Sequence, residues 1–245
     1  MGLTKRVNKG NESNWRSFSD IMTGLMVIFM FIAISYINEV QKKQQQRDII
    51  FEEFKATKEE LFSELENAFK DDFNEWEVEL DKDLSIKFTN PEVLFESGQT
   101  NIRPYFSTIL NDFLPRYFDI LLQDKYEDKI IEVRIEGHTD AVPAPLFDRD
   151  PYIGNIKLSQ QRSANVLKYF RLMDYYQNLN SSKEQRLQFW LTANGLSYGR
   201  TLDENKELTA ISGKSVNNSY SRRVEFRIIT SSENLVDKVI KELSE

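Results

Sequence analysis

Asp20 lies inside the apolar run SFSDIMTGLMVIFMFIAISYI, residues 17–37. An acidic side chain in a membrane-spanning helix costs about 2.5–3.5 kcal/mol at mid-bilayer, so its presence there needs something to offset it. Burial disfavours the charged form of a carboxyl, and one at the edge of the hydrocarbon can therefore take up and release a proton near neutral pH. Thr23 and Gly24 follow at i+3 and i+4, on the same helix face. A hydroxyl and a bare backbone at those positions allow close approach of a second helix and a polar path to the carboxyl. The alternative is a helix-start acid that snorkels into the headgroups. A lone span cannot enclose an ion path, so ion transfer through Asp20 and Thr23 implies a multi-span partner.

His138 is the single histidine, and there is no cysteine. Zinc sites and activated nucleophiles need several ligands or an oriented base, and the sequence shows no such cluster. No catalytic residue, metal or other cofactor is expected, and the chain does not read as an enzyme.

The elements around Asp20 must form a membrane anchor. From Ile21 to Ile37 only Thr23, Ser35 and Tyr36 carry polar groups, so with the preceding turn the run reaches the roughly 20 residues that cross a bilayer. Lys5, Arg6, Lys9 and Arg16 precede it against a lone Glu12, which places the N-terminus in the cytoplasm and exports the rest. A cleaved signal peptide is the competing reading, with Ala33 and Ser35 as the small residues of a cleavage site. Its apolar region is usually only about 7–15 residues long.

The 245 residues are 40% hydrophobic and 29% charged, which suits one helix and one globular domain. The formal charge of -7, without a clustered basic face, excludes nucleic acid as a partner. An exported domain of roughly 170 residues can bury a core without disulfides.

Four segments are expected: a cytoplasmic N-terminus (1–16), a transmembrane helix (17–37), a helical linker (38–76) and a globular domain (77–245). The linker is free of Gly and Pro, and Ile50, Phe51, Phe54, Leu61, Phe62, Leu65, Phe69, Phe73 and Trp76 form an apolar stripe at spacings of mostly three and four. It is read as a stalk that packs on its own domain or on a second copy, or as an amphipathic plug over an ion path. Strands are expected at Leu84–Phe88, Lys129–Gly137, LQFWLTANG and RRVEFRIIT. Helices are expected over RPYFSTILNDFLPRYFDILLQ, with Pro104 in the first turn and a break or kink at Pro115, over LSQQRSANVLKYFRLM, with Ser159 as N-cap, and over SENLVDKVIKELS. The fold class is α+β: one mixed sheet with helices on one face, behind a single transmembrane helix.

Three motifs in order carry a family resemblance. IEGHTD (Ile135–Asp140), NIKLSQQRSANV (Asn155–Val166) and SRRVEFRI (Ser221–Ile228) resemble the OmpA-like peptidoglycan-binding domain, and VLFESGQTNIRP is similar to the stretch that leads into that family's first helix. The likeness covers residues 84–230. Ser221 stands where the family has Asn, and AVPAPLFDRDPYIG resembles the extended loop of MotB-like members. Trp15–Met26 is similar to the single helix of MotB-type stator subunits. The motif LSQQRS and the lysine-containing loop Lys214–Tyr220 look most like the ZorB-type members found in Zorya anti-phage defence systems.

The resemblance implies that Asp140 and Arg162 bind the diaminopimelate of a peptidoglycan stem peptide. A carboxylate suits its ammonium and a guanidinium its carboxylate. Asn155 and Thr139 would position the loop or donate further hydrogen bonds. It also implies a MotA-like partner of the ZorA type, with five partner chains around a dimer of this chain. The implied function is a stator subunit of the bacterial inner membrane, single-pass with a periplasmic domain, that couples H⁺ or Na⁺ flow to motion of the partner ring in phage defence. A flagellar MotB-type subunit and a passive wall anchor are the alternatives.

Overall fold

A computed structural model describes residues 10–89, 94–96 and 98–231; the side chains of residues 10–14, 16, 17, 46, 50 and 54 lie outside the description. The flanking charges Lys5, Arg6, Lys9, Glu12 and Arg16 and the expected helix SENLVDKVIKELS fall outside it too. The chain divides into two units, Met1–Glu53 and Phe54–Glu245.

The first unit holds the beginning of helix α1, Gly10–Phe69. From Phe18 onward α1 is long and apolar enough to cross a membrane. The side chains from Phe18 to Gln45 are all exposed within the chain, as expected of a surface that meets lipid or another protein.

The second unit takes in the last turns of α1. Leu61, Leu65 and Phe69 are spaced by four and fully buried, so the linker stripe of the sequence ends as part of a globular core. Charges beside the stripe fasten it: Lys125 contacts Glu60 at 2.7 Å and also Glu64, and Arg116 reaches Asp72 at 2.8 Å and the Ala68 carbonyl. After the short helix α2, Phe73–Trp76, come strands β1, Val78–Leu80, and β2, Ser85–Phe88. Helix α3 covers Pro104–Leu121 and β3 covers Ile130–Gly137. Helices α4, Pro151–Leu172, α5, Asp174–Gln177, and α6, Ser181–Trp190, lead to β4, Leu191–Gly195. Two single-turn helices, α7 at Thr209–Ser212 and α8 at Asn218–Ser221, precede β5, Val224–Thr230.

The sheet order is β1-β2-β5-β3-β4. β3 and β4 run parallel and the other neighbours antiparallel, so the sheet is mixed. Strand alternation sorts the faces. Val133 and Ile135 of β3 and Val224, Phe226 and Ile228 of β5 enter the core with Phe106, Phe113 and Phe118 of α3 and Val166 and Phe170 of α4. The rings of Phe69, Phe88 and Phe226 each lie 5.1 Å from Phe113, which joins α1, the sheet and α3 in one aromatic cluster. The opposite face carries Glu132, Arg134, Glu136, Glu225 and Arg227.

Three local expectations are corrected. Pro115 does not break α3, because Phe113, Leu114, Tyr117 and Phe118 on either side of it are buried and packing outweighs one missing backbone bond. Leu187–Trp190 is not strand but the end of α6, with Leu187 and Trp190 buried at a spacing of three. Ser159 is not an N-cap: α4 starts eight residues earlier, with the Asp150 side chain accepting from the Tyr152 and Ile153 N–H groups and Pro151 in the first turn. Strand β1 was not expected; three residues carry too little alternation to announce a strand.

Candidate functional site

Two places hold the residues singled out from sequence. In the first unit, α1 sets Asp20, Thr23 and Gly24 on one face. The Thr23 hydroxyl donates to the Ser19 carbonyl at 2.8 Å rather than to Asp20, so outward it offers an acceptor. A Cβ placed on Gly24 would meet nothing within 4 Å.

The second place is a cavity of about 460 Å³ in the globular unit. Its walls come from the end of β3, the loop after it, α4, the segment around Phe95 and the turn before β5. Thr139, Asp140, Asn155 and Arg162 all line it, so four residues separated by up to 23 positions meet around one space.

Helix α4 is held tightly against the sheet. A Cβ on Gly137 would lie 2.3 Å from the Ser159 carbonyl oxygen, and one on Gly195 would lie 2.4 Å from the Gln160 nitrogen, so these contacts need glycine. The Ser159 hydroxyl donates to the Asn155 carbonyl at 2.7 Å and accepts from the Ser197 N–H at 3.1 Å. Gln160 clasps the free edge of β4, donating to Ala193 O at 2.9 Å and accepting from Gly195 N–H at 2.7 Å. One turn on, Arg162 is thereby fixed in the cavity wall.

Arg162 and Asp140 do not pair directly. Arg162 is 7% exposed; its Nε donates to Gln99 O at 2.9 Å, its Nη2 to Glu96 O at 3.2 Å, and its guanidinium lies 4.9 Å from the Phe95 ring centroid. Burial and the nearby Arg222 cation lower its pKa to about 10, against the opposing pull of Asp140. Asp140, 4% exposed, accepts from Val142 N–H at 3.1 Å and from Arg222 Nη1 at 3.0 Å. Asn155 holds the loop, donating to Val142 O at 2.9 Å and Pro151 O at 3.0 Å. Thr139 donates its backbone N–H to Ser197 O at 3.0 Å, while its buried hydroxyl has no partner among the described residues. A buried cation, a buried carboxylate and an unmatched hydroxyl around one space suit a polar ligand that carries both charges.

No protein-family model matches the sequence. Over 244 residues, covering 98% of both chains, it is 34% identical to the Zorya protein ZorB of Escherichia coli. The chain belongs to the ZorB family. Two solved structures are similar at lower levels. A MotB-like protein from Desulfovibrio vulgaris shares 23% identity over 74% of this chain and 99% of its own, with a TM-score of 0.49. The periplasmic domain of Helicobacter pylori MotB shares 20% identity over 65% of this chain and 83% of its own, with a TM-score of 0.39.

In this ZorB-family chain the structure adds two features that the sequence did not single out. The first is Arg222, the cation that holds Asp140. The paired arginines of SRRVE were the available signal, but only side-chain direction decides that Arg222 takes Asp140 while Arg223 takes Glu225. The second is a buried charge lattice on the sheet face away from the core. His138 Nε2 lies 3.6 Å from Glu225 and 3.7 Å from Glu136, so the histidine does have acidic neighbours. These three could hold a metal by proximity. Their surroundings favour ion pairing instead: Arg223 and Arg227 occupy the two Glu225 oxygens at 2.6 and 3.1 Å, and Arg200 and Arg227 flank Glu136 at 3.6 Å. A cation there would face three guanidinium groups. Burial, and then Arg223, push the His138 pKa down, which keeps it neutral.

Proposed function

We propose that this chain is a stator subunit of a Zorya-type system, anchored in the inner membrane by residues 17–37 and in peptidoglycan by its globular domain. Residues 1–16 face the cytoplasm, residues 38–76 form the helical linker, and residues 77–245 carry the wall-binding site in the periplasm. Asp20, with Thr23 beside it, takes and releases H⁺ or Na⁺ in a cavity supplied by a multi-span ZorA-type partner, five copies around two of this chain. One elementary charge crossing 100 mV yields about 2.3 kcal/mol, so several transfers suffice to drive a conformational cycle. Relatedness to ZorB favours phage defence over motility.

The observation that carries the wall reading is the cavity that Asp140 and Arg162 share. Diaminopimelate presents an ammonium and a carboxylate on one centre, which the two residues complement, with Thr139 and Asn155 holding the ligand or the loop over it. The chain acts by binding and ion transfer rather than as an enzyme. The test is retention of the full-length protein, in detergent, on purified peptidoglycan. Asp140→Ala and Arg162→Ala should each abolish retention with little change in melting temperature, and undiminished retention of both variants would remove the wall anchor.

A further inference from the structure

Among the described residues, cations outnumber carboxylates on the cavity wall. Asp140 is the sole carboxylate lining the cavity among the described residues, whereas Arg162, Arg222 and Arg223 all line it. Arg223 is matched by Glu225 outside the cavity at 2.6 Å. Among the described residues Asp140 is the one carboxylate in the cavity wall near both Arg162 and Arg222, and it pairs with Arg222 while Arg162 rests on backbone carbonyls.

A neutral zwitterion would leave that imbalance in place. Its ammonium would take Asp140 and its carboxylate Arg162, and Arg222 would lose the carboxylate oxygen it holds at 3.0 Å. Arg222 is about a third exposed, so it reaches the cavity mouth while Arg162 stays inside. We propose that Arg222 is a specificity-determining residue that reads a second carboxylate on the ligand, so that the site selects a peptide with a net negative charge rather than a diamino-acid centre alone. In a stem peptide the group of that chemistry is the free α-carboxylate of the glutamate linked to diaminopimelate. A planar guanidinium suits it, and freeing Arg222 from Asp140 and pairing it with a new anion keeps every buried charge partnered. A cavity of about 460 Å³ lies in the usual range of small-ligand sites.

The inference rests on the wall-binding reading above, and its test separates the two. Full-length protein in detergent is titrated with two soluble alanyl-γ-glutamyl-diaminopimelate tripeptides, one with the glutamate α-carboxylate free and one with it amidated. The parent should bind the free acid about tenfold more tightly, the size expected of one charge-assisted contact. Arg222→Gln should bind both peptides equally, and Arg222→Lys should keep part of the preference. Melting curves show whether each variant is folded. Equal binding of both peptides by the parent, or an unchanged preference in Arg222→Gln, overturns the role of Arg222 while leaving the wall anchor standing. A parent that binds neither peptide overturns the wall reading itself.

Discussion

Glu136 and Glu225 are register partners in the antiparallel β3–β5 pair, and both are almost completely buried. Like charges directly opposite one another destabilise a sheet. Arg223 and Arg227 contact Glu225, Arg200 and Arg227 lie near Glu136, and neutral His138 sits between the two carboxylates. The same turn that supplies Arg223 to this lattice supplies Arg222 to the cavity.

The lattice makes stability depend on pH. Burial pushes the His138 pKa below its usual 6.5, so above pH 6.5 neither the folded nor the unfolded chain binds the proton and the contribution is flat. Below it the unfolded chain binds a proton that the folded chain refuses, and stability falls. Glu225 adds a second loss at lower pH. Burial opposes its charge, but the Arg223 guanidinium against it outweighs burial and holds its pKa at about 2 against the usual 4.5, so its contribution is complete above about pH 4.5 and lost as pH falls toward 2. Melting temperature recorded from pH 8 to 4 should stay level and then drop below about 6.5. His138→Gln should flatten the portion between 6.5 and 5; a parent-like slope there would show that another group titrates.

The last turns of α1 belong to the globular core. Leu61→Ala should lower unfolding stability by about 2–5 kcal/mol, the range for truncating a buried leucine. Ile49→Ala, at a position 66% exposed within the chain, should change it by no more than about 0.5 kcal/mol. Denaturant titration of both variants decides the matter, and a large loss at Ile49 would reveal a second copy packed on that stretch.

The contact between β3 and α4 is tight enough that one methyl group should disturb the cavity. Gly137→Ala puts a Cβ 2.3 Å from the Ser159 carbonyl oxygen, and the helix bearing Asn155 and Arg162 must shift. Overpacking of this kind costs about 1–3 kcal/mol. Melting temperature and peptidoglycan retention should fall together; normal retention at a reduced melting temperature would mean that the cavity tolerates the shift.

Asp20→Asn keeps the shape of the side chain and removes its proton cycle. The variant should insert, assemble with the multi-span partner and bind peptidoglycan as the parent does, while phage protection disappears. Plaque counts and pull-down of the partner are measured on the same cells. Full protection with Asn at position 20 would leave the chain a passive anchor.

Deleting part of residues 41–53 tests a plug. Cells that co-express the partner should leak protons and grow slowly if this stretch closes the ion path, and Asp20→Asn should reverse the effect. Normal cytoplasmic pH at confirmed protein levels would make the stretch a plain stalk.

The sequence by itself determined what depends on nearest neighbours and on periodicity. The apolar run around Asp20, the stripe through Leu61, Leu65 and Phe69, and the alternation of β3 and β5 are local patterns; each announces an element, and the last two also announce the face that is buried. The motifs around Asp140 and Arg162 marked residues that the fold gathers around one cavity, because the family resemblance ties those residue types to one chemistry. Only the tertiary structure decided where competing local signals were settled by packing. Pro115 stays inside a helix because aromatic neighbours are buried around it. Ser159 is a mid-helix contact to Ser197 because Asp150 and Pro151 start the helix earlier. Arg222 became the cation on Asp140, 82 positions away in the chain, because β5 lies beside β3 in the sheet and places the turn before β5 next to the end of β3. Sequence spacing carries no trace of that proximity, since long-range pairing is settled by which faces bury the most apolar surface.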